Sequence, residues 1–196
     1  IYVMITMSGE SMKRIAEVLN EEATLQNPAD PVTAVPDGSI DFENVSFKYS
    51  AKADRNALEN IQLHIPSGST VGVIGGTGSG KSTLVQLIPR LYDATAGTVK
   101  VGGIDVRRYD LETLRNAVAM VLQKNVLFSG TIEENLKWGN EQATESEIKE
   151  ACELAQANEF ILGFPAGYQT QIEQGGTNVS GGQKQRVAIA RALATD

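Results

Sequence analysis

The chain has few of the residues that build disulfides and metal centres. Its 196 residues include one cysteine, Cys152, and one histidine, His64. A single cysteine excludes an internal disulfide, and one residue of each type excludes zinc sites made from several cysteines or several histidines. This composition is typical of a protein in a reducing, cytosolic setting.

Basic residues and long apolar runs are also scarce. The chain carries 17 Lys and Arg against 24 Asp and Glu, which gives a formal net charge of −7. Because phosphate backbones select basic surfaces, this charge argues against nucleic acid as a partner. No stretch reaches the roughly 18–20 apolar residues that cross a bilayer. With 41% hydrophobic residues, however, the chain can bury a core, and its length suits one domain or most of one.

The first 38 residues predict a helix followed by a linker. Over residues 11–22, the apolar residues Met12, Ile15 and Leu19 recur at helical spacing, which predicts an amphipathic helix at the end of the segment 1–22. Three prolines between residues 28 and 36 favour a linker over 23–38, and the compact domain is expected to start at 39 and run to 196. The apolar residues 1–7 leave two alternatives, a strand or cloning boundary, or the cytosolic end of a membrane helix.

Beyond residue 39, predicted strands alternate with predicted helices. Alternating apolar side chains indicate strands over 40–49, with a bulge or a turn near Asn44, and over 61–65. Val99 and Val101, followed by two glycines, indicate a hairpin. The short apolar runs 71–74 and 117–122 are typical of buried parallel strands. Thr144-x-x-Glu147 predicts a capping box at the start of a helix. This order indicates an α/β domain with a partly parallel sheet.

The most specific motif is the segment 75–83, GGTGSGKST, called the phosphate loop below. It matches G-x-x-x-x-G-K-S/T and joins a predicted strand to a predicted helix. Glycines let several backbone N–H groups point at phosphate oxygens, Lys81 can reach the β and γ phosphates, and the Ser82 hydroxyl can bind Mg²⁺. The predicted nucleotide-binding residues of the loop are Gly75, Gly76, Thr77, Gly78, Ser79, Gly80, Lys81, Ser82 and Thr83. This motif alone does not separate ATPases, GTPases and kinases.

A second glycine cluster stands at the start of a predicted helix near the end of the chain. Ser180, Gly181 and Gly182 precede a good helix-forming stretch. They form either a second anion-binding turn or an ordinary helix cap. Lys184, Arg186 and Arg191 of this helix are expected on a solvated face.

Together the two clusters resemble the ATP-binding-cassette (ABC) family. The phosphate loop resembles its Walker A motif, and VSGGQ, residues 179–183, resembles its signature sequence, with Val179 where Leu is usual. Gln123 stands where the family has its Q-loop glutamine, and Tyr49 stands where the family has an aromatic residue that stacks on adenine. The resemblance covers residues 39–196. It implies an α/β P-loop NTPase of ABC type, with a mixed sheet core, an antiparallel β subdomain and a helical signature subdomain.

Further segments are similar to the exporter branch of the family, in which membrane and ATPase domains share a chain. Residues 126–136 resemble the segment that contacts the membrane domain, which implies a contact for Phe128, whereas Trp138 is expected in ordinary packing. Residues 170–176 stand in the place of the X-loop but carry Glu173 where glycine is common. The first residues resemble the cytosolic end of the last transmembrane helix, so the parent protein is expected at the cytoplasmic face of a membrane.

The resemblance also implies a mechanism. Two such domains, in a homodimer or a heterodimer, pack head to tail with ATP between the Walker A motif of one and the signature of the other. Lys81 and Gln123 are implied as catalytic residues, and Ser82 and Gln123 as ligands of Mg²⁺. The residues implied to bind the ATP of the partner are Ser180, Gly181, Gly182 and Gln183.

Other motifs of the family are expected after residue 196. These are the Walker B strand, the catalytic glutamate and the switch histidine. His64 precedes the phosphate loop and is therefore expected to be structural. The 196-residue chain alone is therefore expected neither to hydrolyse ATP nor to fold well, although its parent is an ATPase. The transported substrate is not indicated by the sequence.

Two other functions compete with an exporter. One is a soluble member of the same family that acts in DNA repair or translation, against which the acidic balance and residues 126–136 count. The other is a P-loop kinase, GTPase or regulatory nucleotide-binding protein, against which the VSGGQ segment at a helix start counts.

Overall fold

A computed structural model describes residues 2–194 and, in the first helix, the side chains from residue 9 onward. Ile1, which begins the predicted segment 1–22, and Thr195 and Asp196, which end the predicted domain, lie outside the described residues. The chain divides into two compact units, Ile1–Leu114 and Arg115–Asp196. Each unit is described by itself below.

Helices and short strands alternate along the chain. The helices of the described residues are α1 (Tyr2–Leu19), α2 (Lys81–Leu87), α3 (Leu111–Asn116), α4 (Ile132–Lys137), α5 (Glu145–Leu154), α6 (Asn158–Leu162) and α7 (Gly181–Leu193). The strands are β1 (Ile40–Phe47), β2 (Leu58–Ile65), β3 (Ala96–Val101), β4 (Ile104–Asp105), β5 (Gly130–Thr131) and β6 (Gln171–Ile172). Single 3₁₀ turns occur at Val106–Arg108, Gly167–Gln169 and Gln174–Gly176.

The first helix confirms the predicted helical pattern but is shorter at its end. It stops at Leu19 rather than residue 22, and its helical start at Tyr2 rules out a strand over residues 2–7. Met12, Ile15 and Val18 are all exposed. Among residues 2–194, no helix combines the length and the apolarity that a membrane crossing requires.

A four-stranded antiparallel sheet forms the core of the first unit, in the order β2-β1-β3-β4. Phe42 of β1 pairs with Leu63 of β2 and Val99 of β3, and both Phe42 and Val99 are buried. The register shifts between Phe42 and Val45, where Asn44 has a φ of 50°, which confirms the predicted bulge. Strands β3 and β4 form the predicted hairpin.

The predicted linker has no helix or strand, but hydrogen bonds fasten it to the first unit. The Asn27 side chain donates to Asp110, and its oxygen accepts from the Leu111 N–H at 2.9 Å. The Val32 N–H donates to the Arg108 carbonyl at 2.8 Å, and the Asp110 N–H donates to the Val32 carbonyl at 2.9 Å. The chain is therefore held to the unit from residue 27 onward.

The predictions of strands over 71–74 and 117–122 are wrong for the described residues. Neither segment lies in a strand, and their apolar side chains are largely open to solvent, with Ile74 99% exposed and Leu122 53% exposed. A buried parallel strand needs hydrogen-bonding strands beside it and covered faces. Among residues 2–194 every pair of named strands is antiparallel, and the one parallel pairing is the isolated bridge between Val32 and Tyr109. The four-stranded sheet of the first unit is therefore the antiparallel part of the expected mixed sheet.

Helices α4 to α7 enclose the core of the second unit. Its fully buried members include Ile132, Leu136, Ile148, Cys152 and Ile161. Burial raises the pKa of the Cys152 thiol, and this residue is a core residue, as its position on the apolar side of a helix predicts. The predicted capping box of α5, formed by Thr144 and Glu147, is confirmed, and α4 has a second one.

Candidate functional site

The phosphate loop runs from residue 75 into the first turn of α2. Gly78 and Gly80 have φ angles of 81° and 84°, which side chains rarely allow. At Gly80, a Cβ atom would also lie 2.7 Å from the carbonyl oxygen of Ala57 and 2.9 Å from a methyl group of Leu58. Glycine is therefore required here both by backbone conformation and by the close approach of β2.

The Lys81 ammonium lies inside the loop. Its Nζ donates to the carbonyl oxygens of Gly75 at 2.6 Å and Gly76 at 2.7 Å, and approaches the Ser79 hydroxyl at 3.3 Å. These are neutral acceptors, and a phosphate oxygen makes a stronger, charge-assisted bond with an ammonium. The loop therefore presents its one full positive charge where an anionic group can compete for it.

The two hydroxyl residues after Lys81 have different surroundings. Ser82 is exposed in the first turn of α2, and a hydroxyl oxygen is a ligand type that Mg²⁺ accepts beside phosphate oxygens. Thr83 is buried, and its Oγ1 is 2.8 Å from the Tyr49 hydroxyl. The residues present thus fit a magnesium nucleotide, with Ser82 available to the metal and Thr83 engaged in holding Tyr49.

Tyr49 stands in a cluster of three aromatic rings. Its ring is 57% exposed and lies nearly perpendicular to Phe47, at a centroid distance of 4.9 Å, and to Tyr92, at 5.3 Å. Its hydroxyl is bound to Thr83 and donates to Gln86 Oε1 at 3.3 Å, both on α2. The structure therefore brings the predicted base-stacking residue onto the helix that follows the phosphate loop.

The second glycine cluster caps α7. The Ser180 hydroxyl accepts from the Gln183 N–H at 3.3 Å, and Gln183 Oε1 accepts from the Ser180 N–H at 2.8 Å, which is a capping box. Gly181 and Gly182 are exposed, and no atom lies within 4 Å of where a Cβ would stand. Ser180 therefore caps α7, and the two glycines leave open space above the start of the helix.

The remaining predicted residue, Gln123, is exposed in a segment without helix or strand. It belongs to the second unit together with Ser180 and Gln183, whereas the phosphate loop and Tyr49 belong to the first. Within their own units, the structure brings Tyr49 to Thr83 and Ser180 to Gln183.

Sequence reasoning missed a buried polar link in the second unit. Asn135 is 1% exposed, and its side chain bonds both the N–H and the carbonyl of Phe128, each at 2.9 Å, and the Thr131 carbonyl at 3.0 Å. Arg191 of α7 donates to the Asn135 carbonyl at 2.8 Å and to its side chain at 3.2 Å. The expectation that Arg191 lies on a solvated face is wrong, because the guanidinium binds α4. The sequence did carry one signal of this link, because Asn135 is a polar residue at a position of α4 where the helical pattern places an apolar one.

An exposed aromatic pair lies beside this link. The rings of Phe128 and Trp138 are stacked at 4.2 Å and 15°, and the Arg191 guanidinium carbon lies 5.8 Å from the Phe128 centroid. Trp138 is 64% exposed, so the prediction that it lies in ordinary packing is wrong. Large exposed aromatic side chains of this kind are typical of interaction surfaces.

Comparison with known proteins shows the family to which the chain is similar. A family model described as ABC transporter matches residues 58–196. The protein YgaD of Bacillus subtilis (strain 168) is 46% identical over 190 residues, which cover 96% of this chain and 33% of that protein. A multidrug efflux ATP-binding/permease protein of Mycobacterium bovis is 43% identical over 180 residues, which cover 92% of this chain and 15% of that protein.

A solved structure is also similar over the whole length. The structure of a bacterial Atm1-family ABC exporter with ATP bound has a TM-score of 0.90 and 34% sequence identity, and the similarity covers 100% of this chain and 34% of that one. The chain thus spans about a third or less of the length of these proteins.

Proposed function

The chain belongs to the ABC transporter family, and we propose that it is the ATP-binding and ATP-hydrolysing part of a membrane exporter. Because it spans about a third or less of its relatives, the activity belongs to the intact protein, meaning this chain with the sequence that flanks it in its gene. In that protein, ATP drives the export of a substrate across a membrane.

One observation carries the proposal. A base platform and a phosphate-binding loop are fastened to the same short helix, because Lys81 lies inside the loop and Tyr49 is bound to Thr83 two residues later. In this arrangement the Tyr49 ring supports the adenine, and the Lys81 ammonium neutralises the β and γ phosphates. Loop N–H groups supply further hydrogen bonds to the phosphates.

Ser82 and Gln123 are the residues that would hold Mg²⁺. When Mg²⁺ is bound, it neutralises negative charge on the phosphate oxygens. The Ser82 hydroxyl suits a direct ligand because it is exposed next to Lys81. Gln123 is exposed in the second unit, and its amide oxygen is a ligand type that Mg²⁺ accepts.

A second nucleotide-binding domain completes the site, in a homodimer or a heterodimer. Gly181 and Gly182 have no packing neighbour that demands glycine, and this supports a surface that an external phosphate can approach. Ser180, Gly181, Gly182 and Gln183 would then bind the γ-phosphate of ATP held by the partner. ATP favours the closed pair and its hydrolysis favours the open pair, which is the difference in binding that a transport cycle requires.

The membrane part is expected in the same polypeptide, so the chain lies at the cytoplasmic face of a membrane. The Mycobacterium bovis relative is an ATP-binding/permease protein, and the structural neighbour is an exporter. The exposed rings of Phe128 and Trp138 supply a surface for contact with that part. A soluble ATPase of DNA repair or translation is not favoured by these relatives.

The test is ATP turnover and ATP-dependent uptake of a fluorescent drug in inside-out vesicles that contain the intact protein. Lys81→Ala removes the charge inside the loop and is expected to lower turnover about a hundredfold and to abolish uptake. Lys149→Ala is the matched control, because Lys149 is exposed and pairs with Glu145 on the surface of α5. Equal turnover in the Lys81→Ala variant and the parent would contradict the proposal.

A further inference from the structure

Tyr92 is the second exposed ring of the aromatic cluster, beside Tyr49, and no motif assigns it a role. It follows α2 in the chain and contacts both other rings, Tyr49 at 5.3 Å and 87° and Phe47 at 5.5 Å and 50°. Phe47 is buried, whereas Tyr49 and Tyr92 are both exposed. Tyr92 therefore lies at the surface beside the ring that is proposed to receive the base.

The backbone around Tyr92 is held firmly. The Leu91 N–H donates to the Gln86 carbonyl at 3.1 Å, which continues α2 into a closed turn. The neighbouring Arg90 is buried and makes a forked ion pair with Asp93, with nitrogen–oxygen distances of 2.7 and 3.2 Å. Tyr92 thus stands between two anchored residues, Leu91 and Asp93, which restrict the backbone that carries its ring.

The contacts of Tyr49 fix the tip of its side chain and the plane of its ring separately. The hydroxyl is bound to Thr83 and Gln86, which fixes the tip but still lets the ring turn about its long axis. The near-perpendicular rings of Phe47 and Tyr92 remove that freedom. A base stacks only on a ring of the right orientation, and a ring that is already oriented loses less entropy on binding.

We propose that Tyr92 is a positioning residue that orients the Tyr49 ring for the adenine base, and so contributes to recognition of the base but not of the triphosphate. The proposal rests on the proposed function, in which Tyr49 is the base platform. It assigns Tyr92 a specificity role that acts through another side chain, since Tyr92 itself need not touch the nucleotide.

The test compares two magnesium-bound probes, ATP and inorganic triphosphate, by calorimetric titration of the intact protein. Tyr92→Ala removes the edge-to-face contact and is expected to weaken ATP binding roughly three- to tenfold, with triphosphate binding unchanged. Tyr92→Phe keeps the ring and is expected to bind both probes as the parent does. Tyr92→Leu fills the same space without an aromatic edge and is expected to match Tyr92→Ala, which keeps the test valid if the alanine variant fails to fold.

The possible failures are distinguishable. The inference is overturned if the leucine variant binds ATP like the parent, if it weakens both probes equally, or if the phenylalanine variant is as weak as the leucine variant. The proposed function fails instead if the parent binds neither probe, or if Lys81→Ala leaves the binding of both unchanged.

Discussion

At the scale of single residues, the buried amide of Asn135 joins two parts of the second unit that are far apart in sequence. It bonds the backbone of Phe128 and Thr131, and it accepts from Arg191 of α7. Burial lowers the pKa of the Arg191 guanidinium, since the charged form loses water, and the two acceptors on Asn135 compensate part of that loss. The helix that begins at Ser180 is thereby tied to the segment that carries the exposed aromatic pair.

Asn135→Ala is expected to lower the free energy of unfolding by about 2–3 kcal/mol, because it leaves buried donors and acceptors of Phe128 and Arg191 without partners. The measurement is hydrogen exchange of the α4 and α7 amides in the intact protein, which reports the free energy of opening of this unit. Asn116→Ala, at an exposed site at the end of α3, is the control and is expected to change stability by less than about 0.5 kcal/mol. Similar losses in the two variants would contradict the role of the buried link.

At the scale of elements, local patterns predicted structure well and long-range contacts did not follow from them. The capping box of Thr144 and Glu147, the bulge at Asn44 and the β3–β4 hairpin each depend on residues a few positions apart, and all three are confirmed. The phosphate loop was found from its spacing. The Tyr49–Thr83 bond and the Asn135–Arg191 link join residues that no local pattern relates, so the sequence alone did not predict them.

The difference between local patterns and long-range contacts also explains the two strands that were wrongly predicted. An apolar run such as 71–74 has strand propensity, but a strand forms only when another strand binds its edge. Periodicity reports which side chains favour burial and does not report whether a partner strand is within reach. Within residues 2–194, no strand pairs with residues 71–74.

The capping box of α5 predicts how its stability depends on pH. The Thr144 N–H, at 2.7 Å, and then its hydroxyl donate to Glu147 and hold the pKa of that carboxyl below its ordinary 4.5. The unfolded chain therefore takes up this proton at a higher pH than the folded chain. The stability that the Glu147 carboxylate contributes is complete when the pH is above its pKa in the unfolded chain. It is lost as the pH falls through its pKa in the folded chain.

Glu147→Gln is accordingly expected to speed hydrogen exchange in the first turn of α5 at pH 7, and the difference from the parent is expected to shrink below about pH 4.5. Each comparison is made between variant and parent at one pH, which cancels the pH dependence of exchange itself. Glu150→Gln, an exposed change in the middle of the same helix, is the control. A difference that stays constant from pH 7 to pH 3 would show that the carboxylate charge has no role in the cap.

At the scale of the whole molecule, the residues proposed to bind nucleotide lie on two compact units, each with its own core. Segments 71–74 and 117–122 bury their apolar side chains poorly, since Val71, Val73, Ile74, Val121 and Leu122 are all exposed. Covering a side chain of this type contributes about 1.5–3 kcal/mol. We infer that in the intact protein these segments become the parallel strands that their composition predicts.

Hydrogen exchange compared between the 196-residue chain and the intact protein tests this inference. In the chain alone, the amides of 71–74 and 117–122 are expected to exchange within seconds, because no strand ladder holds them. In the intact protein, the same amides are expected to be protected at least a hundredfold, since backbone pairing and burial close them to water. The amides of Phe42 and Val45 in β1 are the internal control and are expected to be protected in both. Protection of 71–74 in the chain alone would contradict the inference, because the strand would then need no partner from outside the 196 residues.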